Sequence, residues 1–216
     1  MFQNLGEAGW KAYPTAAVLR NPLKSTLLGG RPLGTDEPSN RMVKDVLTER
    51  NLGGAPPGKR FVADSMLGKL AKWLRALGFD THYEHLKSPG QLDDFAHRGY
   101  RVLTRNRRWG EHPAAVWVTG DDPGEQLRGI VTALAITPEE VRLLCRCLRC
   151  NACLELVTRK QVEGRVPDYI FENCTVFNQC PECRRFYWAG SHPSRMAQWL
   201  HTTLGWSLTS EHQGGL

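Results

Sequence analysis

Two cysteine pairs of matching spacing, Cys147-Leu-Arg-Cys150 and Cys180-Pro-Glu-Cys183, carry the most specific chemistry in this chain. Each pair sets two thiolates on one tight turn. Two such turns brought together make the tetrahedral sulfur cage that Zn²⁺ occupies when it holds a small domain together. Four thiolates close the coordination sphere, so a zinc held this way is structural and has no open position for water. Twenty-nine residues separate Cys150 from Cys180, enough for a hairpin between two knuckles. Spacing alone does not fix the ligand set, because Cys150-Asn-Ala-Cys153 is also a two-spaced pair.

A second group of residues suits a harder cation. Asp64, Asn106 and Asp121 or Asp122 each follow a short apolar run of strand character, and Asp93 and Asp94 lie in a helical stretch between them. In open α/β sheets, ligands collect beyond the carboxyl ends of the strands. Carboxylates gathered there repel one another, and a bound Mg²⁺ or Mn²⁺ relieves that cost. Such an ion can activate water and stabilise the charge that develops in phosphodiester cleavage. The same positions also suit capping, with Asp64 ahead of a helix at Ser65 and Asp121-Asp122 ahead of the next. Asp80 opens a strand, at the opposite edge, and reads as structural.

The elements that must position these groups follow from periodicity. Phe61-Val62-Ala63 is an apolar strand ending in Asp64. Ser65 to Leu77 reads as a helix with Met66, Leu67, Leu70, Leu74 and Leu77 inward and Gly78 as its stop. Lys69, Lys72 and Arg75 fall off that stripe and give the helix a basic flank. Next come a strand near Thr81 to Tyr83, a helix from Gln91 to Arg98 and strands at Arg101–Thr104 and Ala115–Thr119. A helix from Pro123 to about Leu134 and a short one over Glu139 to Leu144 complete this part. Strands alternating with helices imply a mainly parallel sheet covered on both faces. Residues 1 to 58 are Gly- and Pro-rich with little periodicity, apart from a short helix around Arg41 to Glu49.

Charge adds a partner class. The net charge of +6 is uneven: basic residues outnumber acidic ones ten to five over 60–110 and eight to five over 145–200, and the balance reverses to two against six over 111–144. Basic surface flanking an acidic stretch fits a polyanion, RNA or DNA, and equally fits mere solubility. No apolar run approaches the ~20 residues of a membrane span. The first residues lack a secretory pattern, and the cysteine count of seven is odd. An intracellular, reducing compartment, cytoplasm or nucleus, is therefore expected.

The run Phe61-Val-Ala-Asp-Ser-Met-Leu-Gly-Lys-Leu-Ala-Lys-Trp-Leu-Arg-Ala-Leu-Gly-Phe-Asp80 resembles the opening of the PIN-like ribonuclease domain at the C-terminus of Mut-seven-type exonucleases. Val102-Leu-Thr-Arg105 resembles that domain's third strand. Cys147 through Asn151, Cys180-Pro-Glu-Cys183 and Tyr187-Trp-Ala-Gly-Ser-His192 resemble its fused zinc ribbon. The likeness covers roughly Arg60 to Leu200. It implies a PIN-type fold, metal-dependent ribonuclease activity with Asp64 as the first metal-binding carboxylate, and Cys147, Cys150, Cys180 and Cys183 as zinc ligands. Cys145, Cys153 and Cys174 are left as spares. The chain departs from the family's Thr-Arg-Asp motif at Asn106, whose amide can ligate a cation but brings no charge and cannot act as a base. Pro89 and Gly90 stand where the family tends to have acidic residues.

The expected organisation is a leader or linker over 1–58, a PIN-like nuclease domain over 59–144, a zinc ribbon over 145–204 and a tail over 205–216. The expected site is Asp64 with Asp94, Asn106 and Asp121 holding Mg²⁺ or Mn²⁺, and Lys69, Arg75 and Arg105 on the RNA backbone. Arg107 and Arg108 are further phosphate candidates. Phe186 and Trp188 should point one way and Tyr187 the other, more as ribbon core than as base-stacking rings, and His192 should pack or cap. The alternative is a catalytically degenerate module that binds RNA or a processing partner. Larger relatives carry a separate 3′–5′ exonuclease domain upstream, for which residues 1–58 offer no match.

Overall fold

The computed structural model describes residues 58–188 and 191–206. The helix expected near residues 41–49 and the side chain of His192 lie outside what is described.

Four strands, β1 (Arg60–Asp64), β2 (Asp80–Glu84), β3 (Tyr100–Thr104) and β4 (Ala115–Trp117), form one sheet in the order β2-β1-β3-β4. All its pairings are parallel. Phe61, Val62 and Ala63 are each fully buried, as expected where a parallel strand is covered on both faces. Alternation divides them. Phe61 and Ala63 join the main core with Leu103, under helices α1 (Gly68–Ala76) and α3 (Pro123–Ala133). Val62 and Val102 face the other way, with Leu92 of α2 (Pro89–His97) and with Trp109. The chain goes from β1 outward to β2 and then crosses back over β1 to β3. The topological switch point therefore lies between the carboxyl ends of β1 and β3.

The expected first helix is divided. Ser65–Leu67 is a 3₁₀ turn, and the α-helix begins only at Gly68. That tighter turn rotates Met66 off the apolar stripe, so it is 61% exposed, while Leu67, Leu70, Leu74 and Leu77 are buried as expected. Gly78 ends the helix at φ +94°, with the Arg142 carbonyl oxygen only 2.3 Å from where a Cβ would sit. No other residue fits there.

The helix expected over Glu139–Leu144 is reduced to a 3₁₀ turn at Pro138–Glu140, and Val141 is already extended. The Arg142 and Leu144 amides donate instead to the Leu77 and Ala76 carbonyls, at 2.9 and 2.8 Å. Those carbonyls, at the end of α1, would otherwise lack partners, and satisfying them favours the extended course.

A three-stranded antiparallel sheet follows, β5 (Glu155–Val157), β6 (Phe177–Gln179) and β7 (Phe186–Trp188), in that order, with short helices α4 (Arg159–Val162) and α5 (Asp168–Asn173). It has its own small core of Val162, Val166, Cys174, Phe177 and Phe186. Trp188 packs there with Phe186, whereas Tyr187 faces the main core, as alternation requires. The last helix, α6 (Ser191–Leu204), grouped with the ribbon by sequence, returns to the α/β unit. Its Met196 and Leu200 enter the main core, and Trp199 stacks on Trp73 at a centroid distance of 3.9 Å.

Candidate functional site

The two cysteine knuckles face each other. The Sγ atoms of Cys147, Cys150, Cys180 and Cys183 all lie within 4.8 Å of one another, and Cys147 and Cys183 are 3.7 Å apart. Each knuckle turns its own amide toward sulfur. Cys150 N donates to Cys147 Sγ at 3.3 Å, and Cys183 N to Cys180 Sγ at 3.4 Å. The residue after each pair is left-handed, Asn151 at φ 68° and Arg184 at φ 59°.

Burial opposes a thiolate at Cys147. Hydrogen bonds from the Tyr187 hydroxyl, 3.1 Å away, and from backbone amides outweigh it and lower that thiol to about 7. Burial and the neighbouring sulfurs push Cys150 up, and Cys180 up to about 11. Four thiolates this close are not stable together without a cation. A soft tetrahedral sulfur donor set with amide donors behind it fits zinc. Among the spare cysteines, Cys153 is exposed, Cys174 is buried in the ribbon core and Cys145 lies partly buried near the Gly78 carbonyl.

The first knuckle is tied to the sheet by three buried polar side chains. Arg75, expected on RNA, is buried. Its Nε donates to the Thr81 carbonyl at 2.8 Å, and its Nη1 to the Leu148 and Arg149 carbonyls inside the knuckle at 3.0 Å each. That corrects the phosphate-contact expectation: the guanidinium faces inward because the knuckle covers this flank of α1. Burial lowers its pKa, opposed by the negative charge of the Cys147 and Cys150 sulfurs and of Asp80. Asn151 accepts from Thr81 N at 2.9 Å and donates to Asp80 Oδ1 at 2.6 Å. Arg146 donates to the Gly78 and Asn151 carbonyls. Asp80 thus has the structural role expected of it.

The acidic positions lie at the opposite, carboxyl edge. Asp64 ends β1 and is only 2% exposed. Its Oδ1 accepts from Ser65 N at 2.7 Å and Ser65 Oγ at 3.2 Å, and its Oδ2 accepts from Thr104 Oγ1 at 2.9 Å, joining β1 to β3 across the switch point. It therefore caps the 3₁₀ turn and occupies the rim as well. Asn106 N donates to Thr104 Oγ1, and its side-chain oxygen accepts from Arg108 N. Asp121 is strongly exposed and pairs with Arg105 at 2.6 Å. Asp122 caps α3. Asp94 sits five residues into α2, about 7.5 Å along the helix axis from its start at the rim. Among the described residues, no three carboxylates converge; the sole group of three or more metal-ligating side chains is the cysteine set.

The rim also contains residues the sequence did not single out. Glu84 ends β2 directly in register with Asp64. His82, two residues earlier, rings with Phe95 and Tyr100 on the α2 side, so alternation sets Glu84 on the same face as Asp64. Two carboxylates on neighbouring strands can be recognised only once the register is known. His85 follows, with Nδ1 3.3 Å from Ser65 Oγ. The single proton of the Ser65 hydroxyl serves either the Asp64 carboxylate at 3.2 Å or His85 Nδ1 at 3.3 Å, so the three groups form one polar cluster at the rim.

A hard divalent ion takes six or more oxygen ligands, and Mg²⁺ is usually held by one or two carboxylates together with substrate phosphates. Asp64 Oδ2 keeps one lone pair free beyond its Thr104 bond, and Glu84 stands beside it. This pair fits an ion whose shell is completed by ligands from outside the protein, not one held by protein alone. No described helix is long and apolar enough to cross a membrane.

Compared with known proteins, residues 59–200 match the model of the Mut7-C RNAse domain. No curated protein and no solved structure matches.

Proposed function

The chain belongs to the Mut7-C RNAse domain family, and from that premise we propose that it hydrolyses RNA phosphodiester bonds at the carboxyl rim of the parallel sheet. One observation carries the reading: a buried carboxylate, Asp64, stands at the topological switch point with Glu84 in register beside it. Asp64 and Glu84 would hold Mg²⁺ or Mn²⁺, and such an ion would supply charge neutralisation at the phosphate and a water of lowered pKa. Asn106 and Asp121 act as outer neighbours of that pair, and Asp94 contributes only its charge. His85, beside Ser65 at the same rim, would in its neutral form accept a proton from the attacking water. Lys69, exposed in the first turn of α1, and Arg105, which can exchange Asp121 for a phosphate, hold the RNA backbone. Zinc stays structural in the ribbon. The nuclease unit spans 59–144 and the ribbon 145–204, with α6 serving both.

The second reading is a module that binds RNA without cutting it. It is favoured by Asn106 in place of a carboxylate and by the Asp121–Arg105 pair, which leaves no acidic triad among the described residues. Cleavage of labelled single-stranded RNA with Mn²⁺ separates the two. The nuclease reading expects wild-type cleavage, a loss of about a hundredfold or more in Asp64→Asn and Glu84→Gln, and Mn²⁺ binding that tightens when RNA is present. No cleavage by the wild type and a gain in Asn106→Asp would establish the binding module. Full activity in Asp64→Asn would refute the site.

A further inference from the structure

Trp117 is the last residue of the edge strand β4 and is 43% exposed, outside the buried cores. The parallel register pairs it with Thr104, the residue that donates to Asp64 Oδ2. Ala115, two residues earlier, packs with the α2-side core, so alternation turns Trp117 toward that same face. Val62 and Val102 put Asp64 and Thr104 on this face by the same rule. Glu84, Asp64, Thr104 and Trp117 therefore form one row across the carboxyl ends of four adjacent strands. With strands about 4.8 Å apart, the indole stands roughly 10 Å from Asp64 along that row.

The ring is seated, not loose. It rests on Gly110, where a Cβ would come within 2.8 Å of Trp117 Cε3. The loop carrying Gly110 is fixed by the burial of Trp109 in the α2-side core and by the Arg108 guanidinium 4.6 Å over the Trp109 ring. Arg107 and Arg108, both exposed, add positive charge on that loop. A held, half-exposed indole beside cations is the arrangement that stacks a base while the backbone is neutralised.

The geometry points to Trp117 as a stacking platform for an unpaired RNA base two strands beyond the scissile position, with Arg107 and Arg108 on the adjoining phosphates. The inference rests on the ribonuclease reading and adds to it a single-stranded substrate and a register for cleavage. A stacked base would fix which phosphate lies over Asp64. A duplex cannot offer its base faces and would bind less tightly.

The test uses a 5′-labelled single-stranded oligoribonucleotide, checked for integrity on a gel, and fluorescence anisotropy with the full chain. Wild type should bind. Trp117→Ala should weaken binding about tenfold or more, and Trp117→Phe should restore most of it. Gly110→Ala, which keeps the indole but displaces it, should also weaken binding with the fold unchanged by circular dichroism. A series of oligoribonucleotides with one abasic position each supplies the specific readout. One position should weaken the wild type and make no difference to Trp117→Ala. Equal affinities of wild type and Trp117→Ala, or an abasic series without a privileged position, would overturn the stacking role and leave the ribonuclease reading standing. Failure of the wild type to bind any RNA would overturn both.

Discussion

Replacing Arg75 with methionine separates the role the fold gives this residue from the one its charge suggests. Met keeps an apolar stem of similar length and removes the charged fork. Three hydrogen bonds disappear, to the carbonyls of Thr81, Leu148 and Arg149. A hydrogen bond to a charged group contributes about 1.5–3 kcal/mol. Against this, the variant no longer desolvates a guanidinium or fixes its rotamers, which recovers roughly 2 kcal/mol or more. The three carbonyls are left buried without that donor, so the net loss should be about 3 kcal/mol, at the lower end for breaking a buried polar network. For a chain of this size each kcal/mol lowers Tm by about 2–4 °C, which gives a fall of roughly 6–12 °C. The knuckle should also release zinc faster to a coloured chelator, because its two carbonyls lose their anchor to α1. RNA affinity, measured well below the melting range, should stay within about twofold of wild type. A Tm within about 2 °C of wild type would refute the anchoring argument. An unchanged Tm with RNA affinity cut tenfold would restore Arg75 to the RNA surface.

Other perturbations have defined outcomes. The chain should carry one zinc, measured by elemental analysis; Cys180→Ala should lose it, and Cys153→Ser should retain it, because that thiol is exposed and outside the sulfur cluster. Despite partial burial, Lys59 at 2.5 Å and the Thr137 amide hold Glu140 below the usual glutamate range, so its contribution is present above about pH 4.3 and fades as pH falls through the folded value. Glu140→Gln should therefore melt slightly below wild type at pH 7, by no more than about 1 kcal/mol, and the gap should close in acid. Arg184 sits at φ 59°, where a side chain is strained and glycine is not, so Arg184→Gly should gain up to about 1 kcal/mol in thermal melts while Arg184→Ala gains nothing.

Much of the framework was legible because it depends on local pattern. The apolar run at Phe61 and the leucines of α1 specify a buried strand and a covered helix whatever surrounds them. Local pattern failed where a tertiary partner competed. Glu139 to Leu144 has helical composition, but the open carbonyls at the end of α1 took its amides. Ser65 to Leu67 became a tighter turn because Asp64 captures the Ser65 amide. The candidate site was partly legible too: Asp64 was singled out from its place after a strand, but Glu84 came into view only when β2 was paired with β1 in register.

The sequence by itself determined the cysteine knuckles, since two thiolates on one turn need only a spacing of three, and it determined that Asp64 ends a buried strand. Only the tertiary structure decided which cations remain exposed. Arg75, Lys69 and Arg105 look alike in sequence, each a basic residue off an apolar stripe or after a strand. The first cysteine knuckle covers one flank of α1 and turns Arg75 inward, while Lys69, one turn from Asp64, stays exposed. Likewise Trp117 gained its meaning from the sheet order, which sets residues far apart in the chain on one face at intervals of a strand.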